Sequence, residues 1–178
     1  MTNKPVNNIL ITAYPGVGKT TLIRRLMSDL SDYQPVGFFT QEIREGGVRV
    51  GFGLTSHDGR QHTLSHVSIS GGPRVGKYGV DIAGFETFLT GIDFFSPPGR
   101  LIMIDEIGKM ECLSKQFQRL LPMILDSAHV VIASIALKGT GLISGVKQRS
   151  DVTVRELTRS GADKLAREIV TRVQKLLS

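Results

Sequence analysis

Between an apolar run, Ile9-Leu10-Ile11, and a helical pattern stands the segment Ala13-Tyr14-Pro15-Gly16-Val17-Gly18-Lys19-Thr20. It constrains the fold more than any other stretch. It departs by one letter from G-x-x-x-x-G-K-[ST], with Ala13 at the first glycine, while Gly18, Lys19 and Thr20 keep the required spacing. Leu22, Ile23, Leu26, Met27 and Leu30 follow at intervals of three and four, as on a helix with one buried face. A strand, a tight glycine loop and a helix together make an anion site. Glycine lets the loop curl until its backbone N–H groups converge. The helix N-terminus adds unpaired N–H groups and a partial positive charge. Such a loop cradles nucleotide phosphates, with Lys19 on the β- and γ-phosphates and the Thr20 hydroxyl on Mg²⁺. Residues Ala13 through Thr21 are therefore the expected nucleotide-binding segment. The competing reading is a plain glycine turn before a helix, and a second motif weighs against it.

That second motif is Leu101-Ile102-Met103-Ile104 followed by Asp105-Glu106. A wholly apolar run of this length fits a central parallel strand covered on both faces. Mg²⁺ on a nucleotide keeps several waters and takes few protein ligands, and a carboxylate at the strand tip suits it. Asp105 is placed for that role. Side chains alternate along a strand, so Glu106 leaves the tip in another direction and is the candidate for orienting the attacking water. Glu106 and Lys19 are thus the expected catalytic pair. Phosphoryl transfer leaves the protein mainly positioning and charge stabilisation, so a further cation is expected. Lys109, Arg74, Lys77 and Arg44 are the candidates, and spacing does not choose among them.

The rest of the chain supplies the frame. Residues 35–67 hold three strand-like runs separated by Gly46-Gly47 and His57-Asp58-Gly59, which reads as an antiparallel meander inserted beside a parallel sheet. Residues 68–80 are glycine-rich and read as irregular chain. Asp81 suits the N-cap of a helix carrying Ile82, Phe85, Phe88 and Leu89, and Pro97-Pro98-Gly99 closes that section. A helix over 114–127 contains Pro122, which marks a kink or a break. Val130 to Ile135 is a buried strand. Residues 138–150 read as loop with a short helix, Val152 to Leu157 as a last strand, and 161–177 as a terminal amphipathic helix. The fold class is α/β: a P-loop architecture with a mainly parallel central sheet flanked by helices, plus the antiparallel insertion. The length suits one domain over 1–178.

Composition excludes several classes. No apolar stretch approaches a membrane span, and Met1 to Pro5 lack the apolar core of a signal peptide. The single Cys112 precludes an intrachain disulfide, so a reducing cytoplasm is the default location. The net charge of +6 is concentrated late: residues 138–178 hold nine Lys/Arg against four Asp/Glu. Nucleic acid is a conceivable partner for such a region but is not favoured, because the charges are spaced among apolar residues as on a solvated helix face.

Asp105-Glu106-Ile107-Gly108-Lys109-Met110-Glu111 and Pro15 to Thr21, with Gly37 to Arg44 and Gly72 to Asp81, resemble the nucleoside-triphosphatase family called THEP1. That family includes the cancer-related nucleoside-triphosphatase of animals. The resemblance runs from about Asn8 to Leu157. It implies a RecA-like P-loop fold and slow, Mg²⁺-dependent hydrolysis of ATP, GTP and other nucleoside triphosphates. It also puts the catalytic acid on Glu106 and the Mg²⁺-associated acid on Asp105. The chain departs from the family at Ala13 and across Ala136 to Gly145. Ala13 is compatible with the loop if its φ is negative and its methyl points away from the nucleotide. A kinase for a small molecule or nucleotide, and an RNA-associated nucleotide switch, are the alternative readings. A monomer is expected, with oligomeric state otherwise open.

Overall fold

A computed structural model describes residues 6–96 and 101–178. Short apolar runs become strands buried on both sides, and helices with one apolar stripe cover them. In chain order the elements are β1 (Asn8–Thr12), α1 (Lys19–Asp29), β2 (Val36–Glu45), β3 (Val48–Ser56), β4 (Gln61–His66), β5 (Arg74–Val75), β6 (Tyr78–Val80), α2 (Ile82–Thr90), β7 (Leu101–Ile107), α3 (Lys115–Asp126), β8 (Val130–Ile135), α4 (Leu142–Lys147), β9 (Val152–Glu156) and α5 (Ala162–Leu177). The strands form one sheet in the order β5-β6-β4-β3-β2-β7-β8-β1-β9. From β2 to β9 neighbouring strands run parallel. From β2 outward through β3, β4, β6 and β5 they run antiparallel.

Strand alternation sorts the core into two layers. Leu10, Ile102, Ile104, Val131 and Ala133 face α2, α3 and α4 through Phe85, Phe117, Leu121 and Val146. Ile9, Ile11, Leu101, Met103 and Ile132 face α1 and α5 through Leu22, Leu26, Leu165 and Ile169. Each parallel strand therefore needs apolar residues at successive positions, as the sequence of β1, β7 and β8 provides. Phe38 anchors the first layer, in edge-on contact with Phe85, Phe88 and Phe117 at centroid distances of 5.9, 6.1 and 6.3 Å.

The helix signals read from sequence are met locally. The Asp81 carboxylate accepts from the Gly84 amide at 2.9 Å and starts α2. Ser114 does the same for α3, accepting from the Phe117 amide at 3.0 Å. Helix α3 runs on through Pro122 to Asp126.

The antiparallel strands stand beside the parallel sheet as expected, and the structure sharpens the reading at three places. The meander is continuous with the parallel sheet, because β2 pairs with β7 on one side and β3 on the other. The glycine-rich stretch is not irregular throughout: it folds a small hairpin, β5–β6, that extends the antiparallel half. Strand β7 runs on to Ile107, so Asp105 and Glu106 lie within it rather than at its very tip. The expected stop at Pro97-Pro98-Gly99 lies outside the described residues, as do Met1 to Pro5.

Candidate active site

The loop between β1 and α1 turns at Gly16 and Gly18, whose φ angles are 77° and 106°. Gly18 occupies the N-cap position of α1 without a side-chain cap. The first-turn N–H groups of α1 thus stay free for an anion. Ala13 has no positive φ: among the described residues Gln34 is the one non-glycine that does. Ala13 is buried and belongs to the core layer of Ile11 and Leu22. The missing glycine is therefore accommodated by a conformation that alanine adopts freely.

The loop borders a cavity of about 680 Å³. Ala13, Tyr14, Pro15, Gly16, Gly18, Lys19, Thr20 and Thr21 line it. Val17 instead packs against the α1–α5 core layer. Glu106 stands across from the loop, its Oε2 2.5 Å from Lys19 Nζ. Lys19 also donates to the Ile135 carbonyl at 3.4 Å. The carboxylate thus meets the ammonium that the loop would offer to phosphate.

Asp105 sits deeper, at 1% exposure. Its Oδ1 accepts from the Ser134 hydroxyl, and its backbone carbonyl accepts from the Thr40 hydroxyl of β2. Its Oδ2 is buried without a hydrogen-bond partner among the described residues. Burial pushes the Asp105 carboxyl above its ordinary range; the Ser134 bond opposes this and the Glu106 charge adds to it. Asp105 and Glu106 both stand opposite the single residue Ser134, because the β7–β8 register shifts between Ile104 and Ile107. That shift, rather than plain alternation, sets where the two acids project.

A second cavity of about 310 Å³ adjoins the first, with Thr20, Glu106 and Ala136 on the walls of both. Lys109 and Glu111 line this second space. A Cβ on Gly108 would lie 2.7 Å from both Glu106 Oε1 and Glu111 Oε2, so the two carboxyls converge on that glycine. Burial, with the charge of Glu106 adding, pushes the Glu111 carboxyl from 4.5 up to about 8. An acid raised in this way stays protonated in the fold while the unfolded chain ionises. Its contribution to stability is full below pH 4.5 and falls away as pH rises towards 8. Glu111→Gln should therefore stabilise the protein at pH 8 and change little at pH 4, the gain growing across that interval. Urea unfolding at both pH values checks this, and an equal effect at the two would contradict it.

The accessory cations are distributed differently from the sequence expectation. Arg44 is held by Glu42 at 2.6 Å and by the Gly47 carbonyl at 2.7 Å. Arg74 braces the β5–β6 hairpin through the carbonyls of Ile69 and Lys77, and the Lys77 ammonium lies over the Tyr78 ring. None of the three lines the loop cavity, and Lys109 lines the adjoining one. The cations on the loop cavity are Arg49 and Lys138, alongside Lys19. Arg49 lies 5.1 Å from the Phe52 ring centroid. It donates to Glu42 at 2.9 Å and to the Tyr78 hydroxyl at 2.9 Å. Sequence reasoning also missed Lys147 of α4. Its ammonium donates to the carbonyls of Ala136 and Leu137 at 2.6 and 2.8 Å, fixing the segment after β8 that borders the loop cavity.

Among the described residues no cluster of three His, Cys, Asp or Glu is arranged for a metal. A nucleotide-borne Mg²⁺ needs no such cluster, since it takes one or two protein oxygens beside phosphate and water. The buried Asp105 carboxylate, with the Thr20 side chain close to it on the same cavity, fits that need. No helix among the described residues is long and apolar enough to cross a membrane.

Known proteins place this geometry. Residues 8–170 match the sequence model of a family described as NTPase. The nucleoside-triphosphatase THEP1 of Thermotoga petrophila is 40% identical over 163 residues, covering 91% of this chain and 90% of that protein. The human cancer-related nucleoside-triphosphatase is 37% identical over 183 residues, covering 94% and 96%. The crystal structure of THEP1 from Aquifex aeolicus superposes with a TM-score of 0.83 at 31% identity, over 93% of this chain and 98% of that one. The solution structure of a human cancer-related nucleoside triphosphatase gives 0.79 at 36%, over 95% and 98%. The fold is accordingly the α/β P-loop NTPase fold, with a parallel core and antiparallel strands. With its phosphate loop, its Asp105-Glu106 pair and a match over most of its length, the chain belongs to the NTPase family that includes the THEP1 proteins.

Proposed function

We propose that this protein hydrolyses nucleoside triphosphates to diphosphate and phosphate, with Mg²⁺ and with broad tolerance of the base. The observation that carries the reading is the placement of Lys19 and Glu106 on facing walls of the loop cavity, in direct contact. A triphosphate entering the loop offers Lys19 a stronger partner than one carboxylate. Lys19 then turns to the β- and γ-phosphates, and Glu106 is released to face the γ-phosphorus. The free N–H groups of α1 and the loop hold the phosphate oxygens. Glu106 accepts a hydrogen bond from a water and aligns it for attack. Asp105 and Thr20 would hold the metal, which supplies charge neutralisation on the phosphates. Arg49 is the additional cation: it borders the cavity, tethered by Glu42 and lying over the edge-to-face rings of Phe52 and Tyr78, placed to meet charge that develops on the γ-phosphoryl group.

Phosphate release from ATP, GTP, CTP and UTP, measured with and without Mg²⁺ and with no added acceptor, tests the reading. Turnover of all four that stops on chelation is expected. Lys19→Ala should reduce kcat/KM by at least about a hundredfold, the scale of losing one preorganised charge contact. Full turnover in Lys19→Ala would remove the loop from the mechanism. Arg49→Ala should lower kcat by about tenfold to a hundredfold while leaving nucleotide affinity within a few-fold. A change confined to KM would make Arg49 a binding residue only.

A further inference from the structure

Water needs no cavity of its own, yet Glu106 stands on the wall between two. The loop cavity holds the phosphate machinery. The adjoining space of about 310 Å³ reaches Glu106 and Thr20 from the other side. Its remaining walls come from distant parts of the chain: Thr40 from β2, Phe52 from β3, Leu64 from β4, Val75 from the β5–β6 hairpin, and Met110 and Glu111 beyond β7. The antiparallel half of the sheet thus supplies an apolar roof over the acid that would activate a nucleophile. The volume falls at the lower end of the roughly 300–1,000 Å³ typical of small-molecule sites.

We propose that this cavity binds a small alcohol with an apolar body, uncharged or cationic, and that the protein transfers the γ-phosphoryl group to its hydroxyl. The inference rests on the roles given above to Lys19 and Glu106, and it goes beyond hydrolysis. The wall chemistry selects the class. Phe52, Leu64, Val75 and Met110 favour an apolar body, and a phosphorylated acceptor would have to place its anion beside the Glu106 carboxylate, with Lys109 as the one cation on the wall among the described residues. In the transfer the acceptor oxygen forms a bond to the γ-phosphorus. The bond from that phosphorus to the β–γ bridging oxygen breaks, and its electron pair leaves with the nucleoside diphosphate. The hydroxyl proton passes to the Glu106 carboxylate and from there to solvent. Hydrolysis is then the same transfer with water where the alcohol would stand.

The experiment incubates the intact protein with Mg²⁺ and γ-³²P-labelled ATP or GTP. The acceptors are nucleosides, aryl alcohols and amino alcohols, with nucleoside monophosphates as an anionic set. The expected result is a labelled phosphate ester from an uncharged or cationic alcohol, formed at the expense of free phosphate, and none from the monophosphates. Val75→Trp, which fills the cavity from the hairpin, should cut ester formation by at least about tenfold while phosphate release persists. If Val75→Trp fails to fold, Met110→Trp fills the same space from the segment after β7. Labelled phosphate alone across the whole panel, from a protein that hydrolyses normally, overturns the proposal. So does ester formation on the monophosphates only, or ester formation untouched by filling the cavity. Loss of phosphate release in the unaltered protein strikes the hydrolytic reading instead, so the two failures are distinguishable.

Discussion

Glu106→Gln should lower phosphate release by roughly 10²–10⁴-fold while nucleotide still binds, the range expected when a positioned general base is lost. The geometry predicts more than a dead enzyme. Glu106 Oε2 and Lys19 Nζ are 2.5 Å apart, with side-chain exposures of 32% and 17%. A triphosphate must displace that contact before Lys19 can reach it. The pair is partly solvated, so its worth is on the order of 1 kcal/mol or less. Removing the carboxylate charge should therefore tighten ATP or GTP binding by up to about fivefold, because Lys19 no longer has a competitor. Single-turnover phosphate release together with titration of a fluorescent nucleotide separates the two effects. Unchanged single-turnover chemistry would remove Glu106 from the activating role. Weaker binding would mean that the ion pair does not compete with substrate.

Gly37→Ala should be the most damaging single-methyl change in the parallel sheet, although residue 37 touches no substrate. Gly37 pairs with Met103 across β2 and β7. Its φ is +148°, and an added Cβ would lie 1.8 Å from the Met103 carbonyl oxygen and 2.8 Å from its carbon. Backbone cannot yield as a flexible side chain does, so the strands must part. Collision and backbone strain together should cost about 3–5 kcal/mol, lowering Tm by roughly 10 °C for a chain of this size. Gly47→Ala is the control. Its φ of +79° is also left-handed, but an added Cβ there meets nothing within 4 Å, so only the conformational cost of about 1–2 kcal/mol remains. Equal destabilisation of the two variants, measured by thermal unfolding, would show that the Met103 contact is not the cause. Activity should fall with Gly37→Ala as well, since β2 brings the Thr40 hydroxyl to the Asp105 carbonyl.

The parts of this molecule that local physics decides were legible in the sequence. Strand β1, the glycine loop and α1 follow from a short apolar run, two glycines and a 3–4 spacing. Asp81 announces α2 as a cap, whereas the Ser114 cap of α3 was not read from the sequence. The Asp105-Glu106 pair was expected as a partner of the loop on an adjacent strand, but β8 lies between β7 and β1. What escaped were features set by register. Between Ile43 and Arg44 of β2 the β3 partner jumps from Gly51 to Arg49, leaving Val50 as the extra residue. Simple alternation would put Arg49 and Phe52 on opposite faces. The bulge turns Arg49 onto the face of Phe52 and Glu42, and so to the loop cavity. Nothing in the local sequence marks that bulge. Arg44, Arg74 and Lys77 looked equally available on charge alone, yet carbonyls, an aromatic ring and Glu42 hold them elsewhere. The β5–β6 hairpin was hidden by its glycines, since strands this short carry no periodicity. Without the hairpin, the second cavity was not visible either.

The strand order also has a consequence for how the protein is made. Strand β1 leaves a ribosome well before β8 and β9, the strands it pairs with. Asn7 at its edge donates to the His129 carbonyl, 122 residues downstream. The β2–β3–β4 meander needs only near neighbours and can assemble early, since local pairings close small loops. The phosphate loop is therefore synthesised long before the strands that support it. During translation its apolar strand waits without the sheet that will flank it, and nucleotide gains a complete site only once β8 has emerged. A ribosome stalled before Val130 should carry a chain that does not retain ATP or GTP, and one stalled well after Glu156 should carry one that does.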